Sequence, residues 1–311
     1  MTSAENSRSG GNPRRPEAES GAPTTDHLPL AMSIDVEDWF QVENLKGAIP
    51  RDTWEQYPLR VSENTRAILD IFDETETKGT FFCLGWVAER RPELIAEIAR
   101  RGHEVASHGY GHELLYEIGP GRFREDLRRA RKLLEDASGQ RIVGYRAPSF
   151  SITDWGLEIL AEEGYLYDSS YFPASGHDRY AKLPTGYFGH ATELAPPFLS
   201  ELPEGITELS IPVLELFGKA VPWGGGGYFR LYPPALFRSG FVAAARRHGG
   251  AVFYLHPWEV DPSQPRVKSI KRSYAFRHYI NLSRTAERLR QLCKHLEFTT
   301  CSSVLLTAAG R

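Results

Sequence analysis

The sequence has little sulfur: three cysteines, Cys83, Cys293 and Cys301, an odd number with no close pairing. That excludes a disulfide-built scaffold and fits a reducing compartment. No uninterrupted apolar run is long enough to span a bilayer, and no secretory apolar core opens the chain. A cytoplasmic location is therefore expected, extending to the inner face of the membrane. The pair Arg14-Arg15 has no apolar segment behind it and is not an export signal. An excess of one charge is missing as well. The 37 basic and 40 acidic residues leave a net charge of -3, interspersed along the chain. Neither nucleic acid nor an acidic membrane surface is indicated as a partner by this overall balance. Residues 1–27 contain no aromatic residue and are rich in Ser, Gly, Pro, Glu and Arg. They cannot bury enough surface to offset chain entropy, so a disordered tail is expected there.

What remains is well supplied for a core, with 41% hydrophobic and 12% aromatic residues in a chain of 311. Leu30–Ile34, Gly79–Leu84, His103–Ala106, Ile142–Tyr145 and Ala251–Leu255 read as buried strands. Between them, helical periodicity places Val61, Ile68, Leu69 and Phe72 on one face, and Phe123, Leu127, Ala130 and Leu134 on another. Pro92 opens one helix, and Gly139 and Gly164 close two others. Alternation of strand and helix predicts a parallel α/β architecture. The expectation is one domain over residues 28–301 with an elaborated C-terminal third, including a last strand at Phe298–Cys301, and a tail at 302–311. The run Pro222-Trp223-Gly224-Gly225-Gly226-Gly227-Tyr228-Phe229 lacks the Lys-Ser/Thr ending of a phosphate loop. It reads as a flexible loop or a sugar-facing lid.

Polar residues gather where apolar strands end: Asp35, Glu37 and Asp38, then His108 and His112, then Arg146, Asp168 and His256. In α/β barrels that edge carries the active site. On a helical turn His108 and His112, four apart, share a face and can grip one divalent metal. Each residue also has an ordinary structural reading: Asp35 as a helix cap, Arg146 in an ion pair, Asp168 as a turn residue, His256 in the core. Trp223, Tyr228 and Trp258 are core or, exposed in a groove, sugar-stacking. His103, His177, His190, His248, His278 and His295 read as surface or packing.

With these motifs quoted, the chain resembles the NodB-type polysaccharide deacetylases, carbohydrate esterase family 4. Ser33-Ile34-Asp35-Val36-Glu37-Asp38 stands for the family's first motif and His108-Gly109-Tyr110-Gly111-His112 for its second. Arg146-Ala147-Pro148 with Phe150, then Asp168, then Leu255-His256 follow in the family's order. The Asp-Val-Glu-Asp-Trp opening, the glycine run ending in Phe229-Arg230 and His256-Pro257-Trp258-Glu259 resemble the subgroup associated with exosortase and exopolysaccharide loci.

The resemblance implies a distorted (β/α)7 barrel and a metal-dependent hydrolase that removes N-acetyl groups from amino sugars of a bacterial exopolysaccharide or its lipid-linked precursor. It implies a divalent metal, zinc first, with cobalt, nickel or iron as alternatives. Asp35 is then the base, His256 the acid, Arg146 the partner of Asp35, and Asp168 the residue that orients His256. Pro148, Phe150, Trp223, Tyr228 and Trp258 face the substrate, an N-acetylated glycan, with a backbone N–H near Pro148 or Ser149 at the oxyanion. The family places base and metal carboxylate side by side, whereas here Val36 and Glu37 separate Asp35 from Asp38. Residues i and i+2 of a strand face one side, which favours Glu37 as ligand with His108 and His112; Asp38 competes if the strand ends first. Hydrolysis of a small cyclic amide, as in allantoinase- or imidase-like enzymes, and a non-catalytic glycan-binding module are the alternative functions. Oligomeric state stays open.

Overall fold

A computed structural model describes residue 1 and residues 28–173, 183, 197–216 and 218–309. The expected tail at 2–27, and His177 and His190, lie outside the described residues. Strand β1 (Leu30–Val36) is followed by helix α1 (Val61–Glu74), β2 (Thr80–Cys83), α2 (Gly85–Arg90), α3 (Pro92–Arg100) and β3 (Glu104–Ser107). Then come α4 (Leu115–Ser138), β4 (Gly144–Tyr145), α5 (Asp154–Glu162) and β5 (Tyr167–Asp168). The C-terminal half adds β6 (Leu199–Glu201), β7 (Thr207–Leu209), a small hairpin of β8 (Val213–Leu216) and β9 (Lys219–Pro222), α6 (Gly226–Leu231), α7 (Pro234–His248) and β10 (Ala251–Leu255). Helices α8 (Arg272–Tyr279), α9 (Leu282–His295) and α10 (Cys301–Ala309) close the chain.

The main sheet runs β10-β1-β2-β3-β4-β5-β7-β6. All neighbours are parallel except β6, which lies antiparallel on β7. This curled sheet of parallel strands is the distorted (β/α)7 barrel expected, open between β6 and β10 among the described residues. Every residue of β1 is buried, because helices cover one face and the barrel interior covers the other. The apolar face of α1 (Ile68, Leu69, Ile71, Phe72) is buried in the core. Each such side chain contributes about 1.5–3 kcal/mol relative to exposure.

Register explains why the polar residues meet. Ile34 lies opposite Leu255, Asp35 opposite Phe82, Ser107 opposite Tyr145, and Tyr145 opposite Asp168. The strands therefore end level, and the residues just beyond them (Glu37, His108, Arg146, Ser169 and His256) share one rim.

Three expectations need correction. The residues after 301 form α10 rather than a tail: Cys301 and Val304 are buried, and Glu104 receives the Ser302 N–H at the helix start. The expected last strand is reduced to Thr299, which bridges Ala31 of β1. The glycine run is docked rather than loose. Tyr254 N–H donates to Gly224 O at 2.9 Å. A Cβ on Gly225 (φ 146°) would stand 2.0 Å from Tyr254 O, so only glycine permits this approach to β10.

Candidate active site

Asp35 stands one residue before the end of β1 and is buried, 2% exposed. Its Oδ1 accepts from Arg146 Nη1 at 2.7 Å. Arg146 has no exposed surface, and its remaining bonds fix the guanidinium: Nη1 to Ser33 Oγ, Nε to Ser169 O and Nη2 to Ser169 Oγ, at 2.8–2.9 Å. The guanidinium also lies 4.2 Å from the Phe82 ring centroid. Removing either charge would strand the other in the interior, at a cost of about 3–5 kcal/mol.

Glu37, His108 and His112 converge beside this pair, with one ligand atom from each within 4.8 Å of the others. The histidines do not share a helical turn, as their spacing invited. No helix forms between β3 and α4, and His112 has φ 53°. Their loop is held from outside: Gly85 N–H and Trp86 N–H of α2 donate to Gly109 O and Tyr110 O, and Tyr110 N–H donates to Asp126 Oδ1 of α4. His108 Nδ1 donates to Arg146 O at 2.8 Å, which leaves Nε2 as a lone-pair donor toward the site. Burial pushes His108 down to about 4, so it is neutral, as a ligand must be. Burial works against the charge on Glu37, but His112, then His256 and His108, outweigh it and bring the carboxyl down to about 2.

Glu37 Oε1 accepts from Trp258 Nε1 at 3.2 Å. Its Oε2 lies 2.9 Å from His112 Nε2, yet it is buried and receives no properly directed hydrogen bond. Two buried imidazoles and an orphaned carboxylate oxygen aimed at one point are a donor set that suits a divalent cation. Asp38 is not part of it. The backbone turns after Val36, and Asp38 accepts instead from the N–H groups of Trp39, Arg60 and Val61 at 2.8–2.9 Å. It caps α1, whose first N–H groups have no intrahelical partner.

His256 follows β10 across the rim. Its Nε2 stands 3.6 Å from Glu37 Oε1 and 3.9 Å from Asp35 Oδ2. Its Nδ1 is held by Glu259 Oε1 at 2.8 Å, and the same oxygen accepts the His256 N–H at 3.1 Å. Burial alone would lower the imidazole, but Glu259, then Glu37 and Asp35, hold it up at about 9. Glu259 Oε2 in turn accepts from the buried Arg230 Nε at 2.6 Å.

Glu259, not Asp168, therefore orients His256. Asp168 is turned away: its carboxylate accepts from Ser170 Oγ and Ser170 N–H, and it faces Glu208 across β5 and β7. Ser170 Oγ in turn accepts the Ala147 N–H at 2.7 Å, so this pair shapes the turn behind Arg146. Glu259 and Arg230 are the site residues that sequence reasoning missed. A signal existed in the His-x-x-Glu spacing, since His256 and Glu259 form a reciprocal capping box at the turn Pro257–Val260.

A cavity of about 430 Å³ opens over these groups. Phe150, Tyr228 and Trp258 line it, together with Ser149. Ser149 (φ 51°) and Phe150 (φ 57°) occupy the left-handed region, strained for such residues and typical of functional turns. Pro148 is buried outside the lining. Trp223 does not face the cavity: it packs under α7, where its Nε1 donates to Phe237 O at 2.8 Å and Gly240 leaves room for the ring.

Residues 52–167 match the family model described as polysaccharide deacetylase, and residues 169–306 match a domain of unknown function, DUF3473. A peptidoglycan deacetylase-like protein of Gibberella zeae is 37% identical over 101 residues, 32% of this chain and 29% of the relative. A peptidoglycan-N-acetylglucosamine deacetylase of Bacillus cereus is 34% identical over 104 residues, 33% of this chain and 38% of the relative. The likeness thus spans about a third of these relatives' length. A Mycobacterium smegmatis structure assigned as a polysaccharide deacetylase superposes with a TM-score of 0.59 at 23% identity, covering 96% of this chain and 95% of that one. Among the described residues no helix is long and apolar enough to cross a membrane. The likeness to the polysaccharide deacetylase family is thus carried by residues 52–167, and the Mycobacterium smegmatis structure shares the barrel fold of the whole chain.

Proposed function

We propose that the protein is a metal-dependent N-deacetylase acting on N-acetylated amino sugars of a bacterial exopolysaccharide or its lipid-linked precursor. One observation carries the reading. A carboxylate fixed by a buried arginine and an imidazole held in its charged form stand on either side of a Glu-His-His donor set at the floor of one cavity. The names of the relatives support the substrate class.

A divalent cation, zinc by preference for this donor set, would be held by Glu37, His108 and His112 and would supply a Lewis acid that acidifies water and polarises a carbonyl. The protein's own groups do the rest. Arg146 occupies Asp35 Oδ1, leaving Oδ2 toward His256 to accept a proton from water. His256, charged and oriented through Nδ1 by Glu259, presents Nε2 to protonate the leaving amine. We assign the Ser149 N–H to the developing oxyanion: the amides around it are taken, Ala147 by Ser170 Oγ, Phe150 by Ala147 O and Ser151 by Pro148 O. Tyr228 and Phe150 offer apolar faces to sugar rings. The reading keeps the protein in the cytoplasm, at the inner face of the membrane.

Acetate release from N-acetylglucosamine oligomers by zinc-loaded protein, lost in Asp35→Asn, is the expected result. No acetate from any acetylated glycan, with turnover of a cyclic amide such as allantoin, would overturn it.

A further inference from the structure

The C-terminal third carries a charge pattern that the active site does not use. Between Asp261 and Glu287 there is no acidic residue, but there are six basic ones: Arg266, Lys268, Lys271, Arg272, Arg277 and Arg284. All six are exposed. The flanking acids are already engaged, Asp261 with Arg60 and Glu287 with Arg290. Among the described residues no carboxylate pairs with any of the six. In a chain of net charge -3 with charges otherwise mixed, this is a surface of one sign.

The segment is rigidly mounted. Buried Arg230, the partner of Glu259, also donates to the carbonyl oxygens of Arg277, His278 and Ile280 at 2.8–2.9 Å and so clamps the end of α8. His278 stacks on Trp258 with ring centroids 4.3 Å apart and planes at 9°. The helix thereby stands at the mouth of the cavity, whose lining includes Phe276, Arg277 and Leu231. Phe276 is 58% exposed and Leu231 45%.

A solvated face is the ordinary role of a charge run, but it does not account for the absence of acids or for large apolar side chains beside it. Five of the six cations lie outside the cavity lining. Cations flanking an exposed aromatic and an aliphatic side chain suit the surface of an anionic bilayer: the apolar groups enter the acyl boundary and the cations meet lipid phosphates. We propose that residues 266–284 dock the protein on a membrane of anionic phospholipid, with the cavity mouth facing the bilayer surface.

The proposal goes beyond the reaction assigned to the cavity and is tested without turnover. The full-length protein is mixed with vesicles of phosphatidylcholine alone or with about one third phosphatidylglycerol, and bound protein is read by flotation. Binding only to the anionic vesicles is expected, weakening as salt shortens the Debye length from about 30 Å at 0.01 M to 10 Å at 0.1 M. The variant K268E/K271E/R272E, which leaves the cavity lining untouched, should bind about a hundredfold more weakly, at roughly fivefold per lost cation. Its thermal unfolding should match wild type. No binding to anionic vesicles at low salt, equal binding by the triple variant, or binding to an anionic oligosaccharide without vesicle binding would each overturn the proposal.

Discussion

Glu259→Gln separates the role of Glu259 from every other support of the site. The carboxylate receives the His256 N–H, His256 Nδ1 and Arg230 Nε, and it is fully buried. A glutamine keeps the shape and removes the charge that does most to hold His256 at about 9 against burial. Without it, only Glu37 and Asp35 oppose burial, and the imidazole falls from about 9 toward its ordinary 6.5. At pH 7.5 a group of pKa 9 is about 97% protonated and one of 6.5 about 9%, so a full return would deplete the protonated imidazole roughly tenfold.

The expected result is a fall in kcat/KM of up to about tenfold at pH 7.5, narrowing toward pH 5.5. The alkaline limb of the profile moves to lower pH. A cation on Glu37, His108 and His112 repels the imidazolium and lowers both limbs, so the assay compares wild type and variant loaded with the same metal. A variant limb coincident with wild type, with activity lower by the same factor at every pH, would refute the assignment. Stability gives a second readout in chelated protein. The folded pKa of His256 is raised, so its contribution is complete below pH 6.5 and lost as pH rises through about 9. That loss is on the order of 3 kcal/mol, and Glu259→Gln should largely abolish it.

Asp35→Asn should lower kcat by about 10²–10⁴ while cation binding by titration calorimetry persists, because Asp35 is not in the donor set; loss of binding would make it a ligand. Chelation should abolish activity and zinc restore it. Glu37→Gln should weaken cation affinity at least about tenfold by equilibrium dialysis, whereas Asp38→Asn should destabilise α1 without changing affinity. Trp223→Ala should cost about 3–5 kcal/mol in denaturant unfolding with KM for the glycan unchanged, since the indole lies under α7 rather than in the cavity.

The barrel was legible because its signals are local. An apolar run such as Leu30–Ile34 needs both faces covered, and Pro92 and Gly139 punctuate helices wherever they stand. Polar residues at strand ends were legible for the same reason: parallel register brings level ends together. Illegible was whatever depends on how the backbone leaves a strand. Glu37 rather than Asp38 lies beside the histidines, as alternation favoured, but through a turn just past the strand, and His108 and His112 meet through a non-helical loop that helical spacing misdescribes. Trp223 and Trp258 are both aromatics in glycine- or proline-marked runs, yet one is core and one supports Glu37. Composition cannot separate them, because the difference lies in a bond to an element more than two hundred residues away.

The displacement of Asp168 by Glu259 has a structural consequence. Asp35 and His256 rest on separate supports. Asp35 depends on Arg146, which depends on Ser169, in the turn that Asp168 and Glu208 shape from β5 and β7. His256 depends on Glu259, which depends on Arg230 and through it on the end of α8. Among the described residues the two chains of hydrogen bonds share no member and meet only where Asp35 Oδ2 stands 3.9 Å from His256 Nε2, so Asp168→Asn should leave the alkaline limb of the pH profile where wild type has it. The unfolding free-energy changes of Asp168→Asn and Glu259→Gln should add to within about 0.5 kcal/mol in the double variant. An interaction energy above about 1 kcal/mol, or a limb that moves in Asp168→Asn, would join the two supports and return to Asp168 a part in holding the acid.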